Sequence, residues 1–251
     1  RMREFEQMEM QYFVKPGTEM EWYNFWKEAR MKWHRALGFP DGKHRFHDHL
    51  KLAHYANAAC DIEFEFPFGF KELEGIHSRT DFDLGNHEKF SGKKLQYFDP
   101  ELNQNYVPYV VETSIGLDRM FLAVLSTAYA EEQLEDGSER VVLRIPPFLA
   151  PIKCAVLPLV KKDGLPEKAR EIMDRLKFDH LCVYEEKDSI GKRYRRMDAI
   201  GTPFCITVDH DSIEQNTVTL RDRDSMQQER VSIDRLPEIV GEKVDMRKAL
   251  R

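Results

Sequence analysis

Cysteine is scarce and unpaired in pattern: Cys60, Cys154, Cys182 and Cys205 stand far apart among 251 residues, with no Cys-x-x-Cys. That spacing excludes a disulfide scaffold and the usual zinc ribbons, and reduced thiols are expected. Long apolar runs are missing as well. None approaches the roughly 20 residues that a membrane-spanning helix requires, and no secretory leader pattern is present. A cytoplasmic protein without a membrane partner is expected. Nor is there a surplus of positive charge: 38 Lys and Arg face 44 Asp and Glu, a net charge of −6. A chain so balanced does not coat nucleic acid unselectively, so any RNA contact must come from a local basic patch. What is present, 41% hydrophobic and 33% charged residues, describes a globular protein of one or two domains with ample material for a core.

The most informative stretch is Val110-Val111-Glu112-Thr113-Ser114-Ile115-Gly116-Leu117-Asp118-Arg119. An apolar run carrying two polar residues breaks at a glycine and re-enters as an amphipathic helix. Strand side chains alternate faces, so Glu112 and Ser114 project from one side, and Arg119 falls in the first helical turn nearby. A carboxylate, a hydroxyl and a guanidinium converging on one space imply a binding site, because such groups are rarely left buried without partners.

Two further stretches carry chemistry. Residues 1–14 alternate as a strand, with Arg1, Arg3, Phe5, Gln7 and Glu9 on one face and Met2, Met8, Met10, Tyr12 and Val14 on the other. The strand Cys60–Pro67 alternates strictly, and a second extended segment, Phe70–Arg79, follows it. In that segment Glu72 and Arg79 differ by an odd number, so a regular strand would oppose them. A bulge near Gly75 is expected if both serve one site. Between these stretches, Thr18 and Glu21 have the spacing of a capping box. The helix they would open carries Trp22, Phe25, Trp26, Ala29, Trp33 and Leu37 as a core stripe ending at Gly38. The histidines His44, His47, His49 and His54 match no zinc spacing and are read as packed or surface residues.

Together these residues resemble class II aminoacyl-tRNA synthetases, and among them the glycyl enzymes of the dimeric type. Gly-Leu-Asp-Arg after Glu-Thr-Ser-Ile is similar to the third class II signature, Arg-x-Arg-Glu-Phe-x-Gln-x-Glu to the second half of motif 2, and Glu-Leu-Glu-Gly-Ile-x-x-Arg-x-Asp to the strand serving ATP. The resemblance implies glycine activation with ATP and Mg2+, transfer to tRNA(Gly), and a homodimer in the full-length protein. It assigns ATP binding to Arg1, Met2, Arg3, Glu4, Phe5, Glu72, Leu73, Gly116, Leu117, Asp118 and Arg119, with Arg1 and Arg119 as catalytic cations and Glu72 as the metal ligand. Glycine binding falls to Phe5, Gln7, Glu9, Arg79, Glu112, Ser114 and Gly116. Motif 1 and the earlier half of motif 2 are not present, and the chain opens on Arg1 within an apparent strand. It is therefore expected to be part of a longer protein and inactive by itself.

Beyond about residue 135 the pattern changes to alternating strands and helices with short connections, the mark of an α/β domain with a partly parallel sheet. Residues 190–203 resemble the anticodon-binding domain shared by glycyl, histidyl, prolyl and threonyl synthetases. There Lys192, Arg193, Arg195 and Arg196 form a basic cluster suited to tRNA phosphates. The expected organisation is a partial class II core, α+β with an antiparallel sheet, over 1–135. A polar, acidic linker over 136–150 and an anticodon-binding α/β domain with a mixed sheet over 151–251 follow. The rival reading is a non-catalytic, synthetase-like accessory protein that binds nucleic acid; a synthetase for another amino acid is the other.

Overall fold

A computed structural model of the protein describes residues 3–251, which divide into two compact units, one ending at Ser126 and the other beginning at Thr127. Arg1 and Met2, with the ATP and catalytic roles assigned to them, lie outside the described residues.

In the first unit the chain runs β1 (Gln7–Val14), α1 (Glu19–Ala36), β2 (His44–Asp48), β3 (Ala58–Phe66), β4 (Gly69–Thr80), α2 (Phe82–Ser91), β5 (Tyr97–Asp99), β6 (Gln104–Tyr106), β7 (Tyr109–Gly116) and α3 (Leu117–Ala128). Five strands form one sheet in the order β1-β7-β4-β3-β2, with every neighbouring pair antiparallel. β3 shows why the sequence folds so: Cys60, Ile62, Phe64 and Phe66 are buried while the residues between them are only partly so. β7 lies between β1 and β4 and is buried almost throughout. α1 packs on β3, β4 and β7, and Tyr23 and Met31 join Val14, Cys60, Ile62, Ile76 and Val111 in the core. The sheet thus has a packed side and, opposite, a side that can hold a site.

Several local expectations change. The extended segment starts at Gln7, and Phe5 precedes it, half exposed. Thr18 sits at the N-cap of α1 but gives its hydroxyl to the Lys15 carbonyl, so no capping box forms; Glu19 accepts from the Gly17 N–H instead. The aromatic stripe is only partly core, since Phe25 is 53% exposed and the buried positions of the helix include His34. Gly38 is left-handed, as its terminating place requires.

The second unit holds β8 (Tyr129–Gln133), β9 (Glu139–Leu143), β10 (Cys154–Pro158), α4 (Leu165–Leu176), β11 (Cys182–Tyr184), α5 (Ile190–Ala199), β12 (Phe204–Val208), α6 (His210–Glu214), β13 (Thr217–Asp222), β14 (Gln228–Ser232), α7 (Leu236–Val244) and α8 (Met246–Ala249), with a 3-10 turn at Ile233–Arg235. Its sheet runs β11-β10-β12-β13-β14, parallel among the first three strands and antiparallel beyond. α4 begins with proline in its first turn and lays Leu165, Ala169, Ile172 and Leu176 on one face, against Val156, Ile206 and Val208. Met197, Tyr194 and Ile190 of α5 cover the other face against Ala155, Leu157 and Cys205.

The expected linker is a correction. Residues 129–143 form the antiparallel hairpin β8–β9, which is tied into this unit by Arg140. That fully buried guanidinium donates to Glu132 at 2.6 and 2.9 Å, to Asp198 at 3.3 Å and to the Arg223 carbonyl at 2.8 Å. Most of the stretch is exposed, as its acidity and glycine suggest, but Glu132 serves to neutralise a buried arginine. Among the described residues no helix is long and apolar enough to cross a membrane.

Candidate functional site

The open side of the first sheet carries a cleft of about 420 Å³ lined by Phe5, Glu6, Gln7, Glu9, Tyr55, Glu72, Leu73, Gly75, His77, Arg79, Glu112, Ser114, Gly116, Asp118 and Arg119. Eleven residues named from sequence fall within it, contributed by three separate stretches of chain: the approach to β1 with β1 itself, β4, and the continuous run from β7 into the start of α3. Arg3, Glu4 and Leu117 are described but do not line it.

Strand pairing explains the convergence. β1 and β7 are in register with Glu9 opposite Ser114 and Gln11 opposite Glu112. Side chains directly across an antiparallel pair share a face, so Gln7, Glu9 and Gln11 meet Glu112 and Ser114. Gln7 hydrogen-bonds Ser114, Ser114 donates to Glu9 at 3.5 Å, and Gln11 Nε2 donates to Glu112 at 2.6 Å. β4 adds its face from the other side of β7, with Gly75 opposite Ser114 and His77 opposite Glu112.

The odd separation of Glu72 and Arg79 is resolved by a bulge two residues before the glycine, and a second irregularity falls at Arg79 itself, between Ser78 and Thr80. Ile62 pairs with Glu74 and Glu63 with Glu72, so Leu73 is the extra residue and Glu72 turns to the cleft side with Leu73, Gly75, His77 and Arg79. Gly75 has a different duty. A Cβ there would meet His77 Cε1 at 2.7 Å, so its missing side chain makes room for the imidazole ring. Behind the sheet Glu74 is fully buried and accepts from Arg30 at 2.5 Å and contacts His34 Nε2 at 2.7 Å, fixing β4 to α1.

At one end of the cleft Arg79 and Glu112 face each other. Arg79 Nη1 lies 3.2 Å from both oxygens of Glu112, its Nε donates to Asp83 at 2.9 Å, and its guanidinium lies 4.3 Å from the Tyr55 ring centre. Burial pushes the Glu112 carboxyl up. His77, whose Nδ1 lies 3.5 Å away, the hydrogen bond from Gln11 and the charge of Arg79 outweigh burial and hold it down at about 2. Burial lowers the Arg79 guanidinium, but Glu112 and Asp83 raise it further, so the pair is ionised throughout the physiological range. At the other end Arg119 Nη1 donates to the Glu72 carbonyl at 2.7 Å and lies 3.4 Å from Glu72 Oε2, and Phe5 is half exposed. The cleft therefore carries Glu9, Glu112 and Arg79 at one end and the paired Arg119 and Glu72 beside half-exposed Phe5 at the other.

Gln11, Tyr55 and His77 escaped the sequence reading. The signal for His77 was present: it shares parity with Gly75 and Arg79, but a lone histidine in a strand does not announce which carboxylate it will face. The expected metal ligand Glu72 is 54% exposed by side chain and paired with Arg119. Among the described residues no group of three or more His, Cys, Asp or Glu side chains could hold a metal. A magnesium ion is commonly held by only one or two carboxylates with waters and phosphates. Glu72 is thus a single candidate oxygen for an ion carried by phosphates, not part of a protein-built cage.

In the second unit the basic cluster separates into two roles. Arg193 is 2% exposed and donates to the carbonyls of Pro158 at 2.6 Å, Glu185 at 3.2 Å and Leu159 at 3.2 Å, so it is a structural residue rather than a phosphate contact. Helical spacing put it three residues from Arg196 on the face that packs inward. Arg196 is bound to Asp188 at 2.9 Å and to the Lys187 carbonyl at 2.6 Å. Lys192 and Arg195 instead line an open depression with Tyr194, Arg221, Met226 and Gln228.

Comparison with known proteins agrees with both units. Residues 153–243 match the family described as anticodon binding domain. The chain is 54% identical to a glycine–tRNA ligase of Chlorobaculum tepidum over 97% of its own length and 52% of the relative's. Identity is 54% to that of Treponema denticola, over 91% of this chain and 52% of the relative, and 51% to that of Clostridium tetani, over 98% and 53%. The chain spans about half the length of the curated relatives it matches. Along nearly its whole length, then, the chain is similar to about half of a glycine–tRNA ligase.

Proposed function

We propose that this chain carries the amino-acid end and part of the nucleotide cradle of a class II glycine–tRNA ligase, together with its tRNA-reading domain, in the cytoplasm. The observation that carries this is the joining of Glu9, Glu112, Ser114 and Arg79 at one end of the cleft that has Phe5 and Arg119 at the other. In the activating step a glycine carboxylate oxygen attacks the α-phosphorus of ATP, the bond to the bridging oxygen breaks, and diphosphate leaves. The protein's task is to position the reactants and to stabilise charge. Glu9 and Glu112 face the ammonium, Arg79 the carboxylate, Phe5 stacks on adenine, and Arg119 meets the base and the phosphates, a use suited to a planar permanent cation. Gln7 and Gly116 shape the glycine end. Magnesium would arrive with the nucleotide, and Glu72 can offer it one oxygen. Glycyl transfer to the terminal ribose of tRNA(Gly), in a homodimer, completes the reading.

The direct test is glycine-dependent ATP–diphosphate exchange, measured on a polypeptide of the relatives' full length containing this sequence and on the 251-residue chain. Exchange in the longer protein only is expected. No exchange in either, with tRNA binding retained, would favour a nucleic-acid-binding accessory protein instead.

Ser114 lies between Gln7 and Glu9 on the floor of the glycine end. In the full-length protein Ser114→Gly is expected to raise kcat/KM for alanine by about tenfold relative to glycine, since one methyl in a tight pocket is worth roughly 1–3 kcal/mol. An unchanged alanine-to-glycine ratio would remove Ser114 from specificity.

For the tRNA face, replacing Lys192 and Arg195 together by alanine is expected to weaken tRNA binding and to flatten its dependence on log salt by about 1.5. Arg193→Ala, by leaving three carbonyls without their donor, lowers thermal stability instead. Equal salt slopes for the parent and the double variant would show that phosphates do not meet this face.

A further inference from the structure

Cys154 and Cys182 are register partners on the adjacent parallel strands β10 and β11, and their Sγ atoms lie 3.1 Å apart. Neighbouring strands run about 4.8 Å apart, within the Cα separations that disulfides span. Nothing in the proposed reaction uses either thiol. We infer that Cys154 and Cys182 form a reversible thiol–disulfide site, oxidised by hydroperoxides, that staples the β10-α4-β11 crossover at the edge of the sheet.

The two sulfurs differ in access in the way a two-step oxidation needs. Cys182 is partly exposed on the edge strand, and Cys154 is wholly buried. The hydrogen bond from Cys154 lowers the Cys182 thiol, whereas that bond and burial raise Cys154. The Cys182 thiolate attacks one peroxide oxygen, the O–O bond breaks, and hydroxide leaves and takes a proton, giving a sulfenic acid. Cys154 then loses its proton and attacks the Cys182 sulfur. The S–O bond breaks and water departs. In sum two thiols and one hydrogen peroxide give one disulfide and two waters, with two electrons passing from sulfur to oxygen.

The other thiols cannot compete. Cys205 lies on the opposite face of the same sheet, packed with Ala155, Leu157 and Met197, whereas Cys154 belongs to the face under α4. Cys60 is buried in the first unit. The bond would close the stretch of 28 residues that separates the pair, holding a three-residue edge strand that few ladder bonds secure. Closing such a loop restricts the unfolded chain.

The test is treatment of the reduced 251-residue chain with hydrogen peroxide, followed by peptide mapping and thermal unfolding. A monomer lighter by about 2 Da, with the Cys154 and Cys182 peptides joined, is the expected product, restored by dithiothreitol. Its unfolding temperature should rise by several degrees. In Cys154→Ser the Cys182 sulfenic acid should accumulate and be trapped by dimedone, while Cys182→Ser should leave Cys154 unmodified. A dimer linked through Cys182, stable sulfinic acid at Cys182 in the unsubstituted chain, or a bond mapped to Cys205 or Cys60 would each overturn the assignment.

Discussion

Asp198→Ala is expected to cost the second unit about 3–5 kcal/mol, the usual penalty for removing one partner of a buried ion pair. Asp198 is fully buried and accepts from Arg221 at 2.8 and 3.0 Å and from Arg140 at 3.3 Å. Both arginines are themselves buried, at 1% and 4% exposure. Without the carboxylate, Arg221 keeps the face of Tyr194, at 4.7 Å, and Arg140 keeps Glu132 and the Arg223 carbonyl. A loss of that size is a large share of the roughly 5–15 kcal/mol that holds a domain folded. Urea unfolding followed through this unit should show the midpoint falling steeply with little change in slope. Asp198→Asn, which keeps the shape and one acceptor, should fall less. A change under about 0.5 kcal/mol for the alanine variant would place the triad among surface-like pairs.

Glu112→Gln should have the second large effect, and its signature depends on pH. On the proposed reading it removes, in the full-length protein, a charge placed to face the glycine ammonium. A charge-assisted hydrogen bond is worth roughly 2–3 kcal/mol, so kcat/KM for glycine should fall by about 30- to 150-fold while the KM for ATP stays near its original value. A raised ATP requirement with normal glycine dependence would contradict the role. The same substitution acts on stability. The Glu112 carboxyl is held at about 2, below its ordinary 4.5, so its contribution is whole above pH 4.5 and is lost as pH falls through 2. A shift of this size corresponds to about 3 kcal/mol. Parent and variant should therefore differ in stability at neutral pH and converge near pH 2. A difference that persists unchanged in acid would mean that Arg79 and Gln11 do not hold the carboxylate as an anion.

Much of the site was legible because its residues sit on alternating strands joined by recognisable breaks. Glu112, Ser114 and Arg119 follow from one strand, one glycine and one helical turn. The need for a bulge between Glu72 and Arg79 followed from parity alone. Its position followed only approximately: the extra residues are Leu73, two places before Gly75, and Arg79, and the glycine itself yields space to His77. Long-range pairing was the hidden information. That Gln11 would lie against Glu112, or His77 across from it, depends on the order β1-β7-β4, which local pattern does not encode. Charge misled twice, each time the same way. The acidic stretch around the expected linker and Arg193 both read as facing solvent. Glu132 instead neutralises buried Arg140, and Arg193 caps buried carbonyls, and composition does not reveal whether a charge has found an internal partner.

The β8–β9 hairpin bears on where the gene can be cut. A boundary drawn at 151, where the polar stretch ends in the sequence, would discard Glu132 and Arg140 and leave one side of the Asp198 carboxylate open to water. Starting the recombinant piece at Thr127 keeps the clasp with the domain it fastens. Whoever trims this polypeptide to study its second unit should treat those extra two dozen residues as belonging to it.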